Sequence, residues 1–139
     1  MKAKNEIIGA CIATVSQAAA VVGAELPKEQ NEERVYVLPL DAGGKMLAKP
    51  ILVSVGHQDG TTAIDAGAVF REALKAGAEE IIVAHNHPSG NLKPSKADLA
   101  ATAELRDLAK RLDVPLIDHL VLGAGGEFLS LAEDAAANP

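Results

Sequence analysis

His85 and His87 stand two residues apart at the end of the apolar run Ile81-Ile82-Val83-Ala84. In extended chain, residues i and i+2 project to the same side, so both imidazoles can aim at one spot. Two ring nitrogens at one spot suit zinc, which takes nitrogen and oxygen ligands. A lone His-x-His pair is just as readily two surface or hydrogen-bonded histidines. Asp98 narrows the choice: it follows a loop rich in Pro and Gly, at the first turn of the next helix. Its carboxylate can supply a third ligand, leaving a position for water, as in catalytic rather than structural zinc sites. Ser95-Lys96-Ala97-Asp98 also reads as a helix-capping box, with Ser95 at the N-cap and Asp98 at N3. That reading accounts for both residues without a metal but not for the two histidines just before them. Hydrolysis by such a centre needs a base near the water. Glu32 and Glu33, ahead of the apolar strand 34–40, are candidates, and each is equally a solvated charge at a strand end.

These residues need a scaffold, and the pattern supplies one. An Ala-rich helix is expected from Ser16, its cap, to about Leu26, ended by Pro27 and the polar run 28–32. Arg34–Leu40 reads as a strand, Asp41-Ala42-Gly43-Gly44 as a turn, and 45–55 as a second strand completing a hairpin. A helix is expected over 64–76 with Val69, Phe70, Ala73 and Leu74 on its buried stripe and Gly77 at its end. A buried strand over 81–84 then leads into a loop from His85 to Pro94. A helix follows from Ser95 to about Leu112, then a strand over 116–122, a turn at Gly125-Gly126 and a last short strand over 128–131. Residues 1–15 are expected to form an arm or edge strand, and the tail from about residue 134 to fray. The order of elements implies an α/β (α+β) fold: a single mixed β-sheet flanked by helices, in one domain over 1–139.

Glu33, His85-Asn86-His87-Pro88-Ser89-Gly90 and Ser95-x-x-Asp98 together resemble the JAMM motif of the JAB/MPN metalloprotease superfamily. The form Glu…His-x-His-x7-Ser-x-x-Asp is matched in spacing, and such a combined match is specific. Pro94-Ser95, Phe70-Arg71-Glu72-Ala73-Leu74, Leu116-Ile117-Asp118-His119-Leu120 and Glu127-Phe128-Leu129-Ser130-Leu131 resemble the RadC branch in particular. The likeness runs from about Ser16 to Glu133. It implies an MPN/JAB-like fold with cytidine-deaminase-like layering and a zinc-dependent metallopeptidase or isopeptidase. It also implies the roles: His85, His87 and Asp98 bind zinc, Glu33 serves the zinc water as general acid and base, and Ser95 steadies the oxyanion. The resemblance implies Glu33 over Glu32, because family members place the glutamate just ahead of the strand, eight residues before the turn residue matching Asp41. His119 recurs in the branch and is read either as a group that supports a metal ligand from behind or as a satisfied core histidine. The chain departs from the branch in two ways. It is expected to lack an N-terminal helical region, and Asp65-Ala66-Gly67 stands where His-Pro-Arg is frequent.

Composition limits the functions. The 139 residues are 48% hydrophobic and 23% charged, enough for one domain with its own core. A single cysteine, Cys11, excludes a disulfide scaffold and is expected to be buried. Lys2 and Lys4 before Ile7–Ile12, with Ala18-Ala19-Ala20 beyond, faintly resemble a secretory signal, and Ile8-Gly9-Ala10-Cys11 a lipoprotein box. Glu6, Ser16 and Gln17 dilute both, and no apolar run reaches membrane-spanning length. A cytoplasmic protein is expected. Its expected partners are a peptide or protein substrate, with a second copy of the chain or another protein as further candidates.

The alternative to an enzyme is an accessory, noncatalytic module in DNA metabolism acting through a partner. A net charge of −6 and an aromatic content of 2% weigh against direct binding, because phosphate neutralisation and base stacking both lack their residues. The isolated chain is therefore expected to bind duplex DNA weakly or not at all at physiological ionic strength. A tight, salt-sensitive complex in a titration would promote the accessory role.

Overall fold

The computed structural model describes residues 8–56 and 64–133. Its elements are α1 (Val15–Gly23), β1 (Glu33–Leu40), β2 (Ile51–Gly56), α2 (Ala66–Lys75), β3 (Glu80–Asn86), α3 (Lys96–Leu112), β4 (Leu116–Leu122) and β5 (Phe128–Ser130). The strands form one mixed five-stranded sheet in the order β2-β1-β3-β4-β5. β3 and β4 are parallel, joined through α3, and the other neighbours are antiparallel.

Both faces of the sheet are covered, which is why the inner parts of β1 and β3 read as continuous apolar runs rather than alternating ones. Val35, Val37, Ile81 and Val83 face α2 and α3, packing on Val69, Phe70, Ala101 and Leu105. Tyr36, Leu38, Ile82, Ala84 and Leu120 face α1, packing on Ala18, Ala19 and Val22. Phe70, Leu38, Ile81, Leu105 and Leu120 are almost wholly buried, each contributing about 1.5–3 kcal/mol of transfer free energy.

Several boundaries differ from the sequence expectation, each for a local reason. α1 is capped by Thr14, not Ser16: Thr14 Oγ1 accepts from Gln17 N–H at 3.2 Å while Gln17 Oε1 accepts from Thr14 N–H. It ends at Gly23 instead of reaching Leu26, since glycine is a poor helix former. The second strand begins at Ile51, not Lys45, because Pro50 lacks the N–H a ladder needs. Lys45 and Met46 make only isolated bridges, to Cys11 and Leu40.

α2 starts after Asp65, whose side chain accepts from Ala68 N–H. Asp65 thus caps the helix. Leu74 is 47% exposed. At about 100° per residue it stands on the edge of the stripe formed by Ala66, Val69, Phe70 and Ala73. β3 runs through His85 and Asn86, which pair with β4 opposite Val121 and Leu122, so His85 belongs to the strand and not to the following loop.

Cys11 is exposed, contrary to expectation. It sits on an outer segment held by Gly9 N–H to Met46 and Ile12 N–H to Gly44, and the described residues leave it uncovered. Ala18 and Ala19 are buried in mid-helix against the sheet. Among the described residues, no helix is long and apolar enough to cross a membrane. The expected arm before residue 8, residues 57–63 and the expected tail from residue 134 lie outside the described residues.

Candidate metal centre

The register of the sheet assembles the site. Val35 of β1 lies opposite His85 of β3, and Glu33 is two residues before Val35 on the same face. His85 and His87 continue the face of Ile81 and Val83, which is covered by α2 and α3. The N-terminus of α3 then brings Asp98 against them. His85 Nε2 lies 3.2 Å from Asp98 Oδ1 and His87 Nε2 lies 3.1 Å from Asp98 Oδ2. The two Nε2 atoms are 3.2 Å apart. Glu33 Oε1 stands 3.8 Å from both. One ligand atom from each of the four residues falls within a sphere of mutual distances of 4.8 Å or less.

The donor set fits a zinc-sized cation. Bonds of about 2.0–2.1 Å in a tetrahedron imply donor separations of about 3.3 Å, close to the spacing of His85, His87 and Asp98. Glu33 stands further back. His87 Nδ1 faces the Asn91 carbonyl oxygen at 2.7 Å. A carbonyl only accepts, so Nδ1 carries the hydrogen and Nε2 of the neutral ring offers its lone pair to the cluster.

The capping box expected at Ser95 is present and serves the site as well as the helix. Ser95 Oγ accepts from Asp98 N–H at 3.0 Å, and Ser95 N–H donates to Asp98 Oδ2 at 2.8 Å. The second bond helps hold the carboxylate toward the histidines. Burial alone would raise the Asp98 pKa, but the hydrogen bonds it accepts from His85 and His87 when their Nε2 atoms carry a hydrogen outweigh it and hold the carboxyl well below the usual range. The His87 imidazole is raised, first by its bond to Asp98. Glu33 is raised by burial, which the nearby histidines only partly offset, making it a stronger base than an exposed glutamate.

Glu32 is exposed and contributes only its carbonyl, which accepts from Asn86 Nδ2 at 3.0 Å. The fully buried Asn86 also accepts from Arg34 N–H at 2.7 Å through Oδ1. It thus grips the backbone on both sides of Glu33. Sequence reasoning assigned Asn86 nothing, although a polar residue between two site histidines on a buried strand was a signal. Thr102 was also missed. It lies one helical turn after Asp98, and its hydroxyl faces His119 Nδ1 at 2.8 Å. His119 in turn faces His85 Nδ1 through Nε2 at 2.9 Å, and burial pushes its pKa well down. His57 lies outside the described residues.

Fold and site together define a three-layer α/β domain with a His/His/Asp/Glu group at the end of its central strands. The RadC-like JAB domain model matches residues 12–136. The chain belongs to that family. It is 45% identical over 116 residues to a UPF0758 protein of Cyanothece sp., covering 84% of this chain and 46% of that protein. To a UPF0758 protein of Thermosynechococcus vestitus it is 42% identical over 116 residues, covering 84% and 45%. To one of Acaryochloris marina it is 43% identical over 123 residues, covering 86% and 49%. The chain spans about half the length of the curated relatives it matches.

Proposed function

We propose that this domain is a zinc-dependent hydrolase of amide bonds, a metallopeptidase or isopeptidase of JAMM type. One observation carries the reading: His85 Nε2 and His87 Nε2 lie 3.2 Å apart and face the two Asp98 carboxylate oxygens at 3.2 and 3.1 Å, with Glu33 Oε1 3.8 Å from both nitrogens. His85, His87 and Asp98 would hold the ion. Bound zinc would supply Lewis acidity, polarising the scissile carbonyl and making water a better acid.

The chain's own residues do the rest. Glu33 takes a proton from the attacking water and passes it to the departing nitrogen as the C–N bond breaks and the new C–O bond forms. Ser95 accepts Asp98 N–H through a lone pair, which leaves its O–H free to donate to the carbonyl oxygen as charge develops there. The Asn86 bonds on either side of Glu33 limit movement of its backbone. The substrate is read as a peptide or protein.

Protein stripped with a chelator and refilled is expected to hold about one zinc per chain, by elemental analysis after desalting. The double variant His85→Ala, His87→Ala is expected to hold none. Failure of the parent to take up zinc would overturn the reading.

A further inference from the structure

The two candidate histidine ligands differ in what stands behind them. The far nitrogen of His87 meets a backbone carbonyl, which can only accept. The far nitrogen of His85 meets another imidazole, 2.9 Å away, which can either donate or accept. His85 is fully buried, so water cannot stand in. Whether its Nε2 is a lone pair or an N–H is therefore decided further out.

The next contacts decide it. The Thr102 hydroxyl donates to the Asp98 carbonyl oxygen at 3.0 Å, one turn back along α3. A hydroxyl has one hydrogen, so toward His119 Nδ1, 2.8 Å away, it presents a lone pair. His119 must then carry its hydrogen on Nδ1 and leave Nε2 as an acceptor. That acceptor takes the hydrogen of His85 Nδ1, so in the neutral ring the lone pair of His85 falls on Nε2, the side that faces Asp98 Oδ1 and His87 Nε2. Thr102 and His119 are 2% and 1% exposed, which shields these bonds from exchange with solvent. The relay begins at the main-chain carbonyl of Asp98 and returns to its carboxylate through His85.

We propose that Thr102 and His119 are positioning residues that fix His85 in the tautomer with Nδ1–H, so that Nε2 is presented as a metal ligand. The inference rests on the metal reading above. Removing the Thr102 hydroxyl makes the alternative plain. With an apolar group beside Nδ1, His119 does better with its hydrogen on Nε2, donating to His85 Nδ1. His85 then carries its hydrogen on Nε2, where it meets Asp98 as a donor instead of a ligand. Metal binding must reverse that arrangement and leave a buried N–H without a partner.

The test uses zinc as the probe and needs no substrate. Thr102→Val keeps shape and is expected to weaken zinc binding about ten- to a hundredfold in a chelator competition. Thr102→Ser, which keeps the hydroxyl, is expected to stay within a few fold of the parent. Nitrogen-15 NMR of the imidazoles supplies a readout that loss of packing would not produce. In the zinc-loaded parent, His119 is expected to be protonated on Nδ1, with a scalar coupling across the hydrogen bond from His85 Nδ1 to His119 Nε2. In zinc-free Thr102→Val, the His119 proton is expected on Nε2. If the parent binds zinc and Thr102→Val binds it equally tightly, or His119 in the zinc-loaded parent carries its proton on Nε2, the relay is wrong and the metal centre stands. If the parent takes up no zinc, both fail together.

Discussion

Glu33→Gln is expected to abolish most hydrolysis, by about a hundredfold or more, while zinc content is unchanged. The substitution keeps size and one acceptor oxygen but removes the group that can hold a proton. Glu33 Oε1 lies 3.8 Å from the nearest ring nitrogens, beyond the 3.1–3.2 Å spacing of the other donors, so losing its charge should not empty the site. Turnover per zinc-loaded molecule on a peptide or isopeptide substrate is the measurement. Retained turnover would remove Glu33 from the mechanism.

The same variant has a stability signature. Burial raises Glu33 from its ordinary value of 4.5. Its ionised form is therefore less favourable in the folded chain than in the unfolded one. Metal-free parent should lose this contribution as pH rises from below 4.5 through the raised folded value, and Glu33→Gln should not. The Tm of the metal-free variant at neutral pH should equal or exceed that of the parent.

Substitutions at Ser95 separate its two roles. Its Oγ accepts from Asp98 N–H, a bond whose loss in Ser95→Ala should cost about 1 kcal/mol in denaturant unfolding. If the O–H also donates to the developing oxyanion, kcat should fall about a hundredfold, with little loss of zinc because Ser95 N–H still holds Asp98. Ser95→Asp caps as well as serine but sets a negative charge beside the oxyanion. It is expected to fold, to hold zinc and to be inactive. A Ser95→Asp protein that turns over like the parent would make the hydroxyl a cap alone.

Much of the scaffold was legible because its signals are local. The Ser95–Asp98 capping box, the apolar runs of β3 and β4 and the length of α3 each depend on residues within a turn or a strand of one another. The boundaries that moved were also set locally, by Pro50, Thr14 and Asp65, through signals the hydrophobic pattern outweighed. Cys11 was different: its exposure depends on whether another layer covers residues 9–12, which no local pattern reports.

The site divides along the same line. His85, His87 and Asp98 were readable by themselves, because the strand repeat of two residues and a short loop into a capped helix nearly dictate that they meet. The residues alone left Glu32 and Glu33 equivalent, and family resemblance favoured Glu33. The geometry that sets them apart is the pairing of Val35 with His85, which turns Glu33 toward the histidines and leaves Glu32 outside. Asn86 gripping the strand beside Glu33, and Thr102 and His119 behind His85, likewise exist only once distant segments are paired. A sequence records which hydrogen-bonding groups a chain carries. Which of them meet across a sheet, and hence which nitrogen of a buried imidazole keeps its proton, is decided by strand register and layer packing.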